Sequence, residues 1–350
     1  MKIFKKIKLS LQDNLPFVVY RKPNSKQVQS FFQKNTTLFF SNEFDEEGFV
    51  FAPFDNTKSS ILIPLNESEV IHENLDDLSD NSKVVFESDS LKNKADIHID
   101  LVKDAINAIK NNQFKKVVLS RDEEVLLKDF DAITVYQRLL VNYPTAFCYL
   151  WFHPKVGLWM GATPETLLDI KDNEFSTMSL AGTQIYNPEK ETSWGEKELD
   201  EQQLVTDYIT EKLREESEYL TVDNLETIKI GNLLHLRTKI SGRAKYDIKS
   251  VIKVLHPTPA VCGFPKEESK SFILKNENYD RSFYTGFLGE LNLTENNTRF
   301  SSLYVNLRCM QIKEDKAILY IGGGITKDSD PEKEWEETKV KSLAMKRVLS

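Results

Sequence analysis

Residues 284–348 read YTGFLGELNLTENNTRFSSLYVNLRCMQIKEDKAILYIGGGITKDSDPEKEWEETKVKSLAMKRV, and the fold class is decided there. Apolar runs rich in β-branched and aromatic residues fall at about 284–291, 302–312 and 316–321, separated by polar breaks, so three strands are predicted with no helix between them. Only afterwards does a helical pattern begin, over 331–348. Ser329 or Asp330 can cap it and Pro331 suits its first turn. Strands that follow one another without crossover helices argue against a doubly wound sheet. They point to an α+β fold with large antiparallel or mixed sheets and helices to one side.

Upstream, Ile99, Val102, Ile106 and Ile109 recur at helical steps and predict a helix over 96–112, leading into a short strand in KKVVLSR (115–121). A helix near 131–142 and strands at 146–152 and 156–160 follow. A long helix over 196–216 sets Leu199, Leu204, Tyr208, Ile209 and Leu213 near one face, and strands recur at 227–230 and 233–241. Residues 1–95 alternate apolar runs (FVVY, TLFF, GFVFAPF, SILIPL, KVVF) with polar breaks, the pattern of a strand-rich meander. The chain thus divides into a strand-rich part, 1–95, and a main body, 96–350.

Composition excludes several classes of protein. With 40% apolar and 29% charged residues among 350, the chain can bury a core and is not disordered. Forty-six basic against 54 acidic residues leave a net charge of −8, so no positive field favours nucleic acid. Three separated cysteines form neither a disulfide framework nor a zinc knuckle, and the five histidines show no metal-ligand spacing. The basic N-terminus lacks a secretory apolar core, and no run approaches the ~20 apolar residues of a membrane span, so a soluble, cytoplasmic protein is expected.

The candidate chemistry lies in four places. Glu198 and Glu201 are three apart on one predicted helix; Glu334, Glu337 and Lys341 share a face of another. Each pair alone reads as a solvated surface, but if the helices oppose each other four oxygen donors converge, a hard set that suits Mg²⁺. AILYIGGGI carries a strand into three glycines, either an anion-binding loop or a tight turn; it has neither the Walker nor the GxGxxG spacing, so ATP and dinucleotides are not supported. Lys115 and Lys116 enter a strand, where alternation lets only one face a site; a desolvated lysine is a candidate base. Glu165, on a turn between apolar strands, is a candidate acid if buried.

Together these blocks resemble one family. KKVVLSR, GATPETLL, LAGT (180–183), KELDEQ (197–202), HL (235–236), LHPTPAVCGFP (255–265), FYTGFLG (283–289), NLR (306–308) and GGGITKDSDPEKEWEET (322–338) are similar in order and wording to the chorismate-utilising enzymes, over about residues 96–345. The resemblance implies a single α+β fold of two large antiparallel β-sheets flanked by helices, which residues 1–95 complete as its variable part, with a central substrate cleft and Mg²⁺. It implies Glu201 and Glu337 as principal metal ligands, with Glu198 and Glu334 supporting them through water. Arg308, the amides near Gly322 and Gly324, and Lys341 are implied as the clamp for the enolpyruvyl carboxylate. Lys116 is implied as the base that activates water and Glu165 as the acid for the departing 4-hydroxyl. Thr183, His235, Ala260 and Tyr284 fall at substrate-lining positions.

Within the family, Lys116 favours water over ammonia, Ala181 argues against the covalent aminodeoxychorismate type, and Ala260 resembles isochorismate synthases that stop after hydroxyl exchange. Salicylate or anthranilate formation is the alternative, and a non-catalytic chorismate-binding protein a remoter one. Gln202 stands where the family commonly has His, and Val261 where Leu is frequent. The expected protein is a monomer with no glutamine amidotransferase subunit and no need of ATP, NAD or flavin, feeding menaquinone or siderophore synthesis.

Overall fold

The three apolar runs of the quoted stretch form strands in two different sheets. In the computed structural model, which describes residues 2–75, 91–189, 192–230 and 233–349, Phe287–Glu295 and Thr298–Val305 pair in one sheet, Cys309–Lys313 and Lys316–Ile325 in the other. The single strand expected over 302–312 is therefore two, broken at residues 306–308. Asn306, fully buried, accepts a hydrogen bond from the Tyr149 hydroxyl at 2.7 Å and donates to the Phe283 carbonyl at 2.9 Å. Arg308 has φ of 46°, the left-handed region that non-glycine residues seldom adopt. These side-chain bonds and this backbone turn break the strand, and the apolar pattern carries no trace of them.

All strand pairings are antiparallel. The first sheet runs, neighbour to neighbour, Gly263–Phe264, Lys116–Leu126, Lys316–Ile325, Cys309–Lys313, Gly157–Thr163, Phe147–His153, Phe17–Arg21, Gln27–Gln33 and Ser68–Asn74. The second runs Ser217–Val222, Leu233–Ala244, Glu174–Ile185, Thr166–Lys171, Thr298–Val305, Phe287–Glu295, Gly48–Ala52, Ser60–Pro64 and Phe39–Ser41, with Glu226–Ile230 also on Leu233–Ala244. Between the sheets lies an aromatic layer in which Phe51 stacks on Phe283 at 4.2 Å and Phe147 on Tyr304 at 4.1 Å. The outer face of the first sheet is covered by helices Lys2–Gln12, Ala132–Asn142 and Pro331–Leu349, that of the second by Glu196–Glu216 and Ile248–Leu255. With both faces buried, alternate residues of one strand enter different cores: Val18 and Tyr20 face the other sheet, Phe17 and Val19 the helices. Such strands read as unbroken apolar runs. Each large side chain so buried contributes about 1.5–3 kcal/mol.

The N-terminal region departs from a meander. Residues 2–75 give three strands to each sheet; Phe17–Arg21 pairs with Phe147–His153, and Gly48–Ala52 with Phe287–Glu295. The basic leader is helix Lys2–Gln12, unexpected because its lysines mask the four-residue step between buried Ile3 and Ile7. KVVF, at 83–86, lies outside the described residues. The helix expected over 96–112 spans Leu91–Lys110. Helices Ile248–Leu255 and Lys266–Asn276 were not foreseen, the first too short to show a period and the second almost without an apolar stripe. Asp330, rather than Ser329, caps Pro331–Leu349 by accepting from the Lys333 amide at 3.0 Å. Among the described residues no helix is long and apolar enough to cross a membrane.

Candidate active site

The chain crosses between the sheets at Pro164–Glu165 and returns at 306–308, and the two crossings are bonded to each other. The Val305 amide donates to the Glu165 carbonyl at 3.0 Å, the Thr163 hydroxyl to the Val305 carbonyl at 2.5 Å, and the Ala162 amide to the Arg308 carbonyl at 3.0 Å. Glu165 and Arg308 thereby line one cleft. Glu165 is buried, and burial pushes its carboxyl up to about 8 although Lys116 opposes the shift. Around neutral pH it holds a proton it can give. The guanidinium of half-buried Arg308 forms no hydrogen bond or ion pair with any other described residue, so its planar donor fork is free to take a carboxylate.

The three glycines make neither the anion-binding loop nor the tight turn expected of them. Gly322, Gly323 and Gly324 continue the strand Lys316–Ile325, opposite Ser120, Leu119 and Val118. Their bareness serves space. A Cβ on Gly322 would lie 2.8 Å from the Tyr284 hydroxyl, and one on Gly324 2.6 Å from Glu201 Oε1 and 3.2 Å from Lys116 Cε. On the same strand pair, Lys116 is 1% exposed with its ammonium 2.9 Å from Glu201 Oε1. Lys115 points outward, over the Phe264 ring, as strand alternation requires.

All four helical glutamates line the cleft, but the converging quartet of oxygen donors is not formed. Among the described residues no three His, Cys, Asp or Glu side chains meet as a metal cage. Bare carboxylates facing each other repel, and here each is turned to a partner. Glu201 meets Lys116, Glu334 meets Lys197 at 2.9 Å, Glu337 meets Lys341 at 2.6 Å, and Glu198 accepts from the Gly195 amide at 3.1 Å. Burial raises the Glu334 carboxyl against the pull of Lys197; burial acts likewise on Glu337, but Lys341 on it brings it below its ordinary value. The donor chemistry nonetheless fits a hard divalent cation: oxygen donors from both helices stand over a glycine floor, with ammonium groups standing in as the cations. Mg²⁺ commonly takes only one or two protein carboxylates, so no complete protein cage is required.

Opposite them, His235 Nδ1 lies 3.1 Å from the Gly182 carbonyl and 3.2 Å from the Thr183 hydroxyl. A carbonyl only accepts, so Nδ1 carries the proton and buried Nε2, without a partner among the described residues, is left as an acceptor. Burial, with Arg308 and Lys341 nearby, holds the ring down to about 3, hence neutral. Ala260, Val261 and Tyr284 complete the wall. Gln202 turns away, donating to Ser179 Oγ at 2.9 Å in the packing beneath its helix. Lys197, which the sequence reading missed, lies in the cleft; its neighbour Glu198 was the available signal.

A family model described as chorismate binding enzyme matches residues 51–350, beginning well before the boundary drawn at 96. The chain belongs to the chorismate-binding enzyme family. Within it, isochorismate synthase EntC of Escherichia coli is 32% identical over 249 residues, 68% of this chain and 63% of the relative. The salicylate biosynthesis isochorismate synthase of Pseudomonas aeruginosa is 32% identical over 260 residues, 71% of this chain and 54% of the relative. The chain thus spans about six-tenths of the length of the curated relatives it matches. In fold, DhbC of Bacillus anthracis, described as a 2,3-dihydroxybenzoate-specific isochorismate synthase, superposes with a TM-score of 0.81 over 98% of this chain and 99% of that one, at 24% identity.

Proposed function

We propose that this protein is an isochorismate synthase that converts chorismate to isochorismate with Mg²⁺. The observation that best supports it is a buried lysine and a buried, proton-holding glutamate at one cleft: Glu165 lines it, and Lys116, beside Gly324, reaches Glu201, which also lines it. Lys116, off Glu201 and with its ammonium proton released to solvent, takes a proton from water as the oxygen bonds to carbon 2. The ring double bonds shift, and the 4-hydroxyl departs as water with the proton of Glu165. One water enters and one leaves, so no external energy is needed. Arg308 and Lys341 receive the enolpyruvyl carboxylate, with Gly322 and Gly324 leaving room beside it. Thr183 and His235 bound the ring on the other side, where the neutral Nε2 accepts from a substrate hydroxyl. Mg²⁺ on Glu201 and Glu337, supported by Glu198 and Glu334, would neutralise the ring carboxylate.

The test is to incubate the purified protein with chorismate and Mg²⁺, with an EDTA control and with added ammonium, and to separate the products by chromatography. Isochorismate that vanishes with the chelator is expected. Salicylate with pyruvate, or an aminated product, would move the chain to another activity of the family, and no conversion would leave a binding role.

A further inference from the structure

Three of the four cleft glutamates carry lysines. Two of these, Lys116 and Lys341, have places in the proposed reaction; Lys197 has none. It stands in the first turn of helix Glu196–Glu216 and reaches across the cleft to Glu334 on helix Pro331–Leu349, which is buried. Its ammonium and the Ser329 hydroxyl, at 2.9 and 2.7 Å, both sit on Glu334 Oε1. Oε2 is left over Gly323, whose added Cβ would lie 3.5 Å from it and 4.0 Å from Glu337 Oε1.

We propose that Lys197 is an affinity-setting residue for the divalent cation: it neutralises Glu334 and ties the two acidic helices together when no cation is bound, and a cation must displace it or bind against its charge. This rests on the reading that these glutamates take Mg²⁺. A like charge a few ångströms from a bound cation weakens binding, more so in a half-buried cleft than in water. The same ion pair also relieves the repulsion among the glutamates, so the metal-free protein leans on it.

The experiment is calorimetric titration of the full chain with MgCl₂ at pH 8 and constant ionic strength, without chorismate, on wild type, Lys197→Met, Lys197→Arg and Lys115→Met. Lys197→Met is expected to tighten Mg²⁺ binding roughly three- to tenfold and to enlarge the rise in melting temperature that Mg²⁺ produces. Lys197→Arg, which keeps the charge, stays near wild type, and so does Lys115→Met, which removes an equal charge outside the cleft. Equal or weaker binding by Lys197→Met overturns the proposal, as does equal tightening by Lys115→Met, which would reduce the effect to net charge. Because no substrate is present, tighter binding by a protein that yields no isochorismate would sink the proposed function and leave this inference standing; the reverse pair of results would do the opposite.

Discussion

Glu198, Glu201, Glu334 and Glu337 stand on two long helices, where spacing along the chain sets which of them share a face. Glu165 and Arg308 stand on short connectors between the sheets, where no helical or strand period places them. The helical carboxylates keep their places through one helix each; Glu201 and Glu334 are adjusted by lysines from other elements, and Glu337 by Lys341 of its own helix. The connector residues keep theirs because Thr163, Val305, Ala162 and Asn306 lock the crossings to each other and to both sheets. In the proposed reaction, the groups that meet reacting atoms at a defined distance lie on the doubly anchored connectors and on the strand that carries Lys116. The adjustable charge lies on the helices.

The largest expected effect comes from the crossings. Glu165→Gln removes the proton donor without changing shape, and kcat should fall by about 10²–10⁴-fold, the usual worth of a general acid, with the far-UV circular dichroism unchanged; a kcat within tenfold of wild type would take Glu165 out of the chemistry.

Next in size, Arg308→Ala should raise the KM for chorismate by roughly 10- to 100-fold, since a charge-assisted hydrogen bond is worth about 1.5–3 kcal/mol. Glu198→Gln, on a helix and bonded among the described residues only to the amide that starts it, should change KM less than about threefold. If steady-state kinetics ranked these two in the opposite order, the distinction between connectors and helices would fail.

The smallest expected effect concerns stability against pH. The folded value of Glu165, about 8, lies above the ordinary 4.5. The native state therefore binds this proton more tightly, and the stability it contributes is whole below about pH 4.5 and lost as the pH rises through 8. Glu165→Gln should flatten that decline and melt higher than wild type above pH 8, by roughly 1–2 °C if the relief is about 1 kcal/mol. Parallel melting curves for the two proteins from pH 5 to 9 would count against a buried, neutral carboxyl.

The sequence made the two acidic helices and their faces readable because periodicity is local: helix Glu196–Glu216 lies at the expected residues, and Pro331–Leu349 begins where its cap and proline said. It also made many of the strands readable, though not Glu174–Ile185 or Ser217–Val222, and it did not show their sheet. Residues 302–312 look like one run because Val305 and Cys309 are equally buried on either side of the break. The three glycines suggested a loop because glycine usually marks conformational freedom, whereas here it clears room for Tyr284, Glu201 and Lys116 from distant parts of the chain.

By itself, then, the sequence determined the α+β class, the acidic helical faces and, through its resemblance to a family, the residues to watch. Those are properties of composition, period and motif. Only the tertiary structure decided that the N-terminal strands divide between both sheets, that Glu165 and Arg308 meet at paired crossings, and that Lys116 and Lys197 hold Glu201 and Glu334. Pairing between sheets and neutralisation of charge across a cleft depend on contacts between residues far apart in the chain, and these have no local pattern.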